Sequence, residues 1–394
     1  MTTMQSYNYI IEATYYANGK ESTILSESIQ SLYIKYDYIT KNMPILYLGM
    51  KIKTDLYNVM VKNADNGTLT LTVYKFIKLN GMITKKTIYM RRMFSYFIPS
   101  DLDYNQTLDS EATNSNSYKV CTLGLYDMEI INRNSLSLDI NTVITNSDMI
   151  SIVHYCTTNL NIIIEPFKDN EKIKYCFLPP FNTVKKMLEY LNYMHNFYDT
   201  GYIFFKDFEK SYLLSRRGNA VGVPVTEHKT IIIKILETID YQTKKQSIEI
   251  DNESNAYVLY IDANFINMRI DRLKDKKYHK LIGVDGFGNS NEVELNVAKN
   301  ENGTEKTKLQ RLSNENMEFI NSIKDVIEED AFVINISKTE IDTDLLTPNR
   351  EYLVQNYSSY KEYDGRYLLA YKRDIMIQQN GDFISNTIIG LKKI

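Results

Sequence analysis

Asn380-Gly381 separates the run DIMIQQ from DFISNTIIG, and Asn80-Gly81 separates LTLTVYKFIKL from MITKKTIYM. Each dipeptide can supply the two positive-φ residues of a type I′ turn, whose twist suits antiparallel strands, so both pairs of runs are expected to fold back as two-residue hairpins. No other feature constrains the chain as much, because a hairpin fixes register and register fixes which side chains share a face. Asp364-Gly365 offers a second such turn ahead of the run from Arg366 to Tyr371. The last fifty residues therefore read as a strand, a turn and a long hairpin. A β unit of this kind closes on strands from elsewhere and is expected to complete a domain begun upstream.

Alternation extends this reading to the first quarter of the chain. Leu32, Ile34, Tyr36 and Tyr38 alternate with Tyr33, Lys35 and Asp37, and Leu46, Leu48, Met50 and Ile52 share a face opposite Gly49, Lys51 and Lys53. That period belongs to half-buried strands. With Asn66-Gly67 preceding a further strand from Leu69, residues 1–104 are expected to be all β, five or six strands in a small antiparallel barrel or sandwich. The polar stretch from Pro99 to Asn116 reads as a linker.

A mixed region follows. Met149, Ile152, Val153 and Cys156 keep helical spacing behind Ser147 as a possible cap. Val184, Met187, Leu188, Leu191 and Met194 form a buried stripe that Asn182 or Thr183 can cap and Gly201 can end. YIFFKDFEKSYLLSR is expected to be a hairpin packed on that second helix, turning at Lys206 to Lys210. Strands are expected at 230–236, 247–250, 256–264 and 332–336. A loop tip is expected at 299–308 and a third helix behind Ser313, with Phe319, Ile320, Ile323, Val326 and Ile327 buried.

The 394 residues exceed what one hydrophobic core usually holds, and 43% apolar with 24% charged residues is a globular composition. No apolar run approaches a bilayer span, and MTTMQSYNYI lacks the basic and apolar regions of a secretory signal. A net charge of −3 gives no general attraction to nucleic acid or anionic lipid. Cys121, Cys156 and Cys176 make an odd count without CxxC spacing, which argues against a disulfide framework or a zinc site and for a reducing cytoplasm. Thirty-two tyrosines and no tryptophan read either as ordinary strand residues or as an adhesive aromatic surface, the former being favoured.

No residue is assigned a catalytic, cofactor or metal role. His154, His195, His228 and His279 are scattered; His195 suits the carbonyl end of a helix, and no cysteine–histidine pairing is apparent. Gly283, Gly286 and Gly288, with Asp285, Asn289 and Asn291 close by, match neither a phosphate loop nor an EF-hand and read as a plain loop. Arg91-Arg92 and Arg216-Arg217 belong to no wider basic stripe and read as strand ends or subunit contacts, and Glu328-Glu329 as a subunit contact at most.

Three stretches carry a family resemblance: IQSLYIKYDYITKNMPILYLGMKI, FLPPFNTVKKMLEYLNYMHNFYDTGYIFFKDFEKSYLLSR, and LTPNREYLVQNY with YKEYDGRYLLAYKRDIMI and the final hairpin. In these, and in the order β domain, α/β insert, β domain, the chain resembles the baseplate hub proteins of contractile-tailed bacteriophages and related injection machines. The resemblance implies an α+β, mainly β fold: two tail-tube-like antiparallel β-barrel domains with α/β insertions. Residues 1–104 would form the first barrel, 105–201 an α/β insert, 202–254 the start of the second barrel, 255–330 a second insert, and 331–394 the strands completing the second barrel. It further implies a homotrimeric ring in the virion tail baseplate, made in the host bacterial cytoplasm, with no enzymatic role and no membrane insertion. Its partners would be the hexameric tail tube protein, the trimeric central spike protein and other baseplate proteins, and genome DNA would pass through without specific binding.

Two other functions are compatible with the sequence. A tail-associated cell-wall hydrolase would need two acidic groups about 5–10 Å apart in a cleft, and a host-glycan-binding tail-tip module would use exposed tyrosines. A deep pocket of converging ionisable groups in a compact single body would count against the hub.

Overall fold

The computed structural model describes residues 6–39, 43–79, 82–98, 117–130, 141–157, 160–167, 170–180, 183–195, 197–198, 202–215, 230–244, 248–272, 280–284, 290–294, 307–311, 330–337, 343–357 and 361–393. The polar stretch 99–116, the expected third helix, Asn80-Gly81, His228, His279, Arg216-Arg217, Glu328-Glu329 and, of the glycine-rich turn, residues 285–289 lie outside them, whereas Gly283 and Asn291 of that turn fall in strands.

The chain is mainly β. It opens with β1 (Ser6–Ala17) and β2 (Lys20–Ile24), then β3 (Ile29–Asp37) and β4 (Ile45–Lys53), the helix α1 (Thr54–Lys62), β5 (Thr68–Leu79) and β6 (Met82–Phe97), and β7 (Tyr118–Asp127). The first hairpin turns on Asn18-Gly19, whose φ values of 51° and 74° give the left-handed backbone that a two-residue loop between Ala17 and Lys20 requires. The expectation that residues 1–104 are all β is corrected by α1. Its core-facing stripe is short, Met60 buried with Leu56 and Tyr57 half-buried beside it, and the helix stands between strands, so the alternation around it hides it.

An α/β insert follows: β8 (Thr142–Ser147), α2 (Met149–Cys156), β9 (Ile162–Ile164), β10 (Ile173–Leu178), α3 (Val184–His195), β11 (Tyr202–Lys206) and β12 (Ser211–Ser215). Asp148, not Ser147, caps α2, its carboxylate accepting from Ser151 N at 2.9 Å. Thr183 caps α3, its hydroxyl accepting from Lys186 N at 3.2 Å. The α3 stripe is buried as expected except Met194, which is exposed. The β11–β12 hairpin is apolar on both faces. Phe204 and Leu213 enter the insert core with Met187 and Leu191, while Ile203, Phe205, Tyr212 and Leu214 enter the main core. Two-residue periodicity thus makes one hairpin the spacer between two cores.

The remaining strands are β13 (Thr230–Leu236), then, after the short helix α4 (Thr238–Gln242), β14 (Ile248–Asp251), β15 (Ala256–Asp262), β16 (Ile266–Arg272), β17 (Lys280–Val284), β18 (Ser290–Glu294), β19 (Thr307–Arg311), β20 (Asp330–Ser337), β21 (Glu351–Asn356), β22 (Gly365–Gln379) and β23 (Asp382–Lys393). The β22–β23 hairpin turns on Asn380-Gly381 with φ values of 53° and 88°, as its sequence requires. Asp364-Gly365 is not a type I′ turn. Only its glycine has positive φ, at 147°, and Asp364 instead accepts from Asn356 N at 2.6 Å.

The circuit β22–β3–β4–β7–β6–β5–β1–β23 returns to β22 with every contact antiparallel, which makes a closed eight-stranded barrel. Leu32, Leu46, Leu48, Leu71, Val73 and Phe94 fill it, all fully buried. A second sheet runs β14–β15–β13–β21–β22–β23–β20–β16, with the pairings of β13 parallel. The C-terminal hairpin belongs to both. In β22, Tyr367 pairs with β21, while Tyr371 to Ile377 pair with β3. The switch falls where the β22–β23 register shifts between Leu369 and Tyr371; a bulge of this kind bends a strand enough to pass it from one sheet to the next.

Many tyrosines are core residues. Tyr9, Tyr38, Tyr352 and Tyr367 are at most 2% exposed, and Tyr38 meets Phe205 edge-on at 4.6 Å, joining barrel to insert. Among the described residues no helix is long and apolar enough to cross a membrane.

Candidate functional site

Two of the barrel's eight seams are short. β1 meets β23 at the single register pair Tyr9 and Phe383, and β6 meets β7 only through Phe94 to Phe97. Beyond the second seam the rest of β6 has no further strand on that side among the described residues. The space left there is a cleft of about 880 Å³ between β6, the end of β7, the β11–β12 turn, the segment around Asp344 and the middle of β22.

Ionisable groups do converge in this cleft. Lys75, Arg91, Arg92, Lys210 and Lys372 line it against Asp127, Glu129, Asp207, Glu209 and Asp344. Several are already bound to one another. Lys75 Nζ lies 2.6 Å from Asp344 Oδ2, and Tyr89 donates to Asp344 Oδ1 at 3.1 Å. Arg92 pairs with Glu129, reaches Asp127 Oδ2 at 3.9 Å and donates to the carbonyl of Phe208 in the insert turn. Lys372 Nζ stands 4.6 Å from the Tyr36 ring and 3.9 Å from Asp374, which accepts from Thr387 Oγ1 at 2.5 Å.

This arrangement sets the local proton affinities. Burial raises the Asp127 carboxyl above the usual range, with Ile130 N–H and Arg92 pulling it back. Burial likewise raises Asp207, with Lys372 opposing. The Tyr36 and Tyr89 phenols are pushed well up by burial, so both stay neutral donors. Among the described residues no serine, cysteine or histidine lines the cleft. Chemically it is a brace of charge pairs tying the insert turn and the Asp344 segment to the barrel wall.

The other residues weighed from sequence fall elsewhere. Arg92 is not a strand-end charge but the centre of this brace, while its neighbour Arg91 is exposed. Its partners lie 37 and 116 residues away, a separation for which no local pattern exists. His154 is exposed on the last turn of α2. The absence of a cysteine–histidine pairing needs correction: Cys176 Sγ and His195 Nε2 are 3.7 Å apart. Burial raises that thiol above its ordinary value, which keeps it protonated and poorly nucleophilic. Among the described residues no cluster of three His, Cys, Asp or Glu side chains could hold a metal ion.

Large apolar side chains are also exposed along several strands and at α4, Ile88 and Met93 of them at the rim of the cleft. Met82, Ile83, Ile88 and Met93 lie along β6, Val143, Tyr175 and Phe177 on the β8–β10 pair, and Ile239 and Ile250 at α4 and β14.

No protein-family model matches the chain. No curated protein matches it either. Among solved structures it is similar to the tail protein from Neisseria meningitidis MC58, at 10% identity over 97% of this chain and 96% of that one, with a TM-score of 0.47. It is similar to the 43 kDa tail protein of prophage MuSo2 from Shewanella oneidensis at 11% identity, over 97% and 96% of the two chains, with a TM-score of 0.47. A Francisella PdpA-VgrG complex matches at 10% identity over all of this chain and 59% of that one, with a TM-score of 0.45. Scores this low carry no inference about activity or partners.

Proposed function

We propose that this protein is a structural baseplate hub subunit of a contractile phage tail, a homotrimer adapting a hexameric tail tube to a trimeric central spike. The observation that carries the reading is the pair of eight-stranded sheets fused through one shared hairpin. Three copies of such a unit present six curved β walls, the number a sixfold tube requires, while keeping a threefold axis for a spike. A subunit of this kind works by its edges and flat faces, and the exposed apolar residues along β6 and on the β8–β10 pair supply contact area. A hydrolytic reading needs two acids free to exchange protons across one bond. In the cleft, Asp344 and Glu129 are bound to Lys75 and Arg92.

Sedimentation of the purified chain, alone and with candidate tube and spike proteins, tests the reading, and electron microscopy of the particle shows where the chain sits. A trimer that caps tube rings is expected. A stable monomer that neither trimerises nor binds either partner overturns it.

A further inference from the structure

Among the described residues the strand order leaves several sheet edges unpaired, β2, β6, β14 and β16 among them, and two of these, β6 and β14, stand far from the shared hairpin. Counted away from the β22–β23 seam, β7 and β6 are the fourth strands in the two directions around the barrel. Their short seam is therefore opposite the shared hairpin in the strand order. In the second sheet β15 is fourth from the same seam and β14 lies beyond it. Among the described residues, β6 from Met82 to Met93 pairs only with β5, and β14 pairs only with β15. Free edges of this kind invite another strand.

The two edges differ in chemistry. β6 is basic and apolar: Lys86 and Arg91 accompany Ile88 and Met93, which are 59% and 50% exposed. β14 is acidic and apolar: Glu249 and Asp251 flank Ile250, which is 57% exposed. Pairing either edge with itself would oppose like charges, whereas pairing one with the other opposes unlike charges and buries isoleucine against isoleucine and methionine.

We propose that β14 of one copy adds to the free edge of β6 in the next copy, across the mouth of the cleft, so that each sheet continues into its neighbour. The contact is heterologous, one acceptor and one donor edge per chain, which is the geometry that closes a ring. It rests on the homotrimer reading above and names the surfaces that would make it.

The test uses the full chain with Met93→Cys and Ile250→Cys together and singly, treated with a diffusible oxidant and run on a denaturing gel. The double variant is expected to give covalent species up to three chains, and each single variant no more than the wild type. Cross-linking of a single variant to itself overturns the unlike pairing. A double variant that fails to cross-link while the wild type sediments as a trimer overturns this interface and leaves the hub reading standing. A monomeric wild type removes both. Independently, K86E/R91E is expected to weaken self-association about tenfold or more, and adding E249K to recover most of it. Unchanged association in K86E/R91E, or no recovery, counts against the edge contact.

Discussion

Gly390 lies on β23 opposite Tyr371, just past the bulge where the C-terminal hairpin changes sheets. A Cβ at Gly390 would stand 2.2 Å from Tyr371 Cε1 and 2.4 Å from Cζ. Carbon atoms pack no closer than about 3.5 Å, so the ring would have to retreat by roughly 1.3 Å. It has little room, being 5% exposed and packed by Ile39 and Ile388, with the Arg373 guanidinium 4.5 Å from its centre. Gly390→Ala should therefore destabilise the fold by about 1–3 kcal/mol as an overpacking change. This holds although alanine in an open strand position would gain about 0.5–1 kcal/mol over glycine. In a Tyr371→Ala background the obstruction is gone and the same substitution should change sign. Urea unfolding of the four chains at one protein concentration measures the cycle, with an expected coupling of roughly 2 kcal/mol or more. A neutral Gly390→Ala in the parent, or additive effects, would refute the ring-over-glycine argument.

Other groups give equally direct tests. Arg92→Met strips the cation from buried Asp127 and the donor from the Phe208 carbonyl. It should cost about 2–3 kcal/mol and speed hydrogen exchange in the turn at 207–210, with Asp127→Asn recovering part of the loss. Asp374 is fully buried between Lys372 and Thr387. Asp374→Ala should cost about 2–4 kcal/mol by stripping Thr387 Oγ1 of its acceptor and the buried Lys372 of one of its carboxylates, Asp207 remaining, while pairing Asp374→Asn with Lys372→Met should cost less. Glu165 is 8% exposed and burial lifts its carboxyl from 4.5 to about 7, Ser215 N–H opposing. A raised folded-state value means its contribution is full below pH 4.5 and is lost as pH rises towards 7, on the order of 3 kcal/mol. Glu165→Gln should flatten stability across that window in calorimetric scans, and an unchanged pH profile would count against the assignment.

The strands were legible where burial is one-sided. Leu32, Ile34, Tyr36 and Tyr38 announce β3 because alternate residues face the core, and Asn380-Gly381 announces its turn because few other dipeptides tolerate two positive φ values. Asn18-Gly19 carried the same signal. Helix α1 was hidden because its stripe of Leu56, Tyr57 and Met60 is short and stands between strands. The division of the last hairpin was hidden for a different reason: YLLAY reads as one continuous buried run, and nothing local says that Tyr367 and Tyr371 belong to different sheets. The cleft was illegible throughout. It exists because β7 leaves β6 after four pairs, and its charges come from segments as far apart as Lys75 and Asp344, matched only by the completed fold.

The shared hairpin also sets the order in which the molecule can be made. The β1–β23 seam closes only through Tyr9 and Phe383, so the ring begun by the earliest strands stays open while some 370 further residues leave the ribosome. Its partly finished walls must be shielded from one another meanwhile. Folding is therefore expected to be a late, nearly simultaneous closure of both sheets, and a nascent chain halted before β22 should be held by chaperones or destroyed.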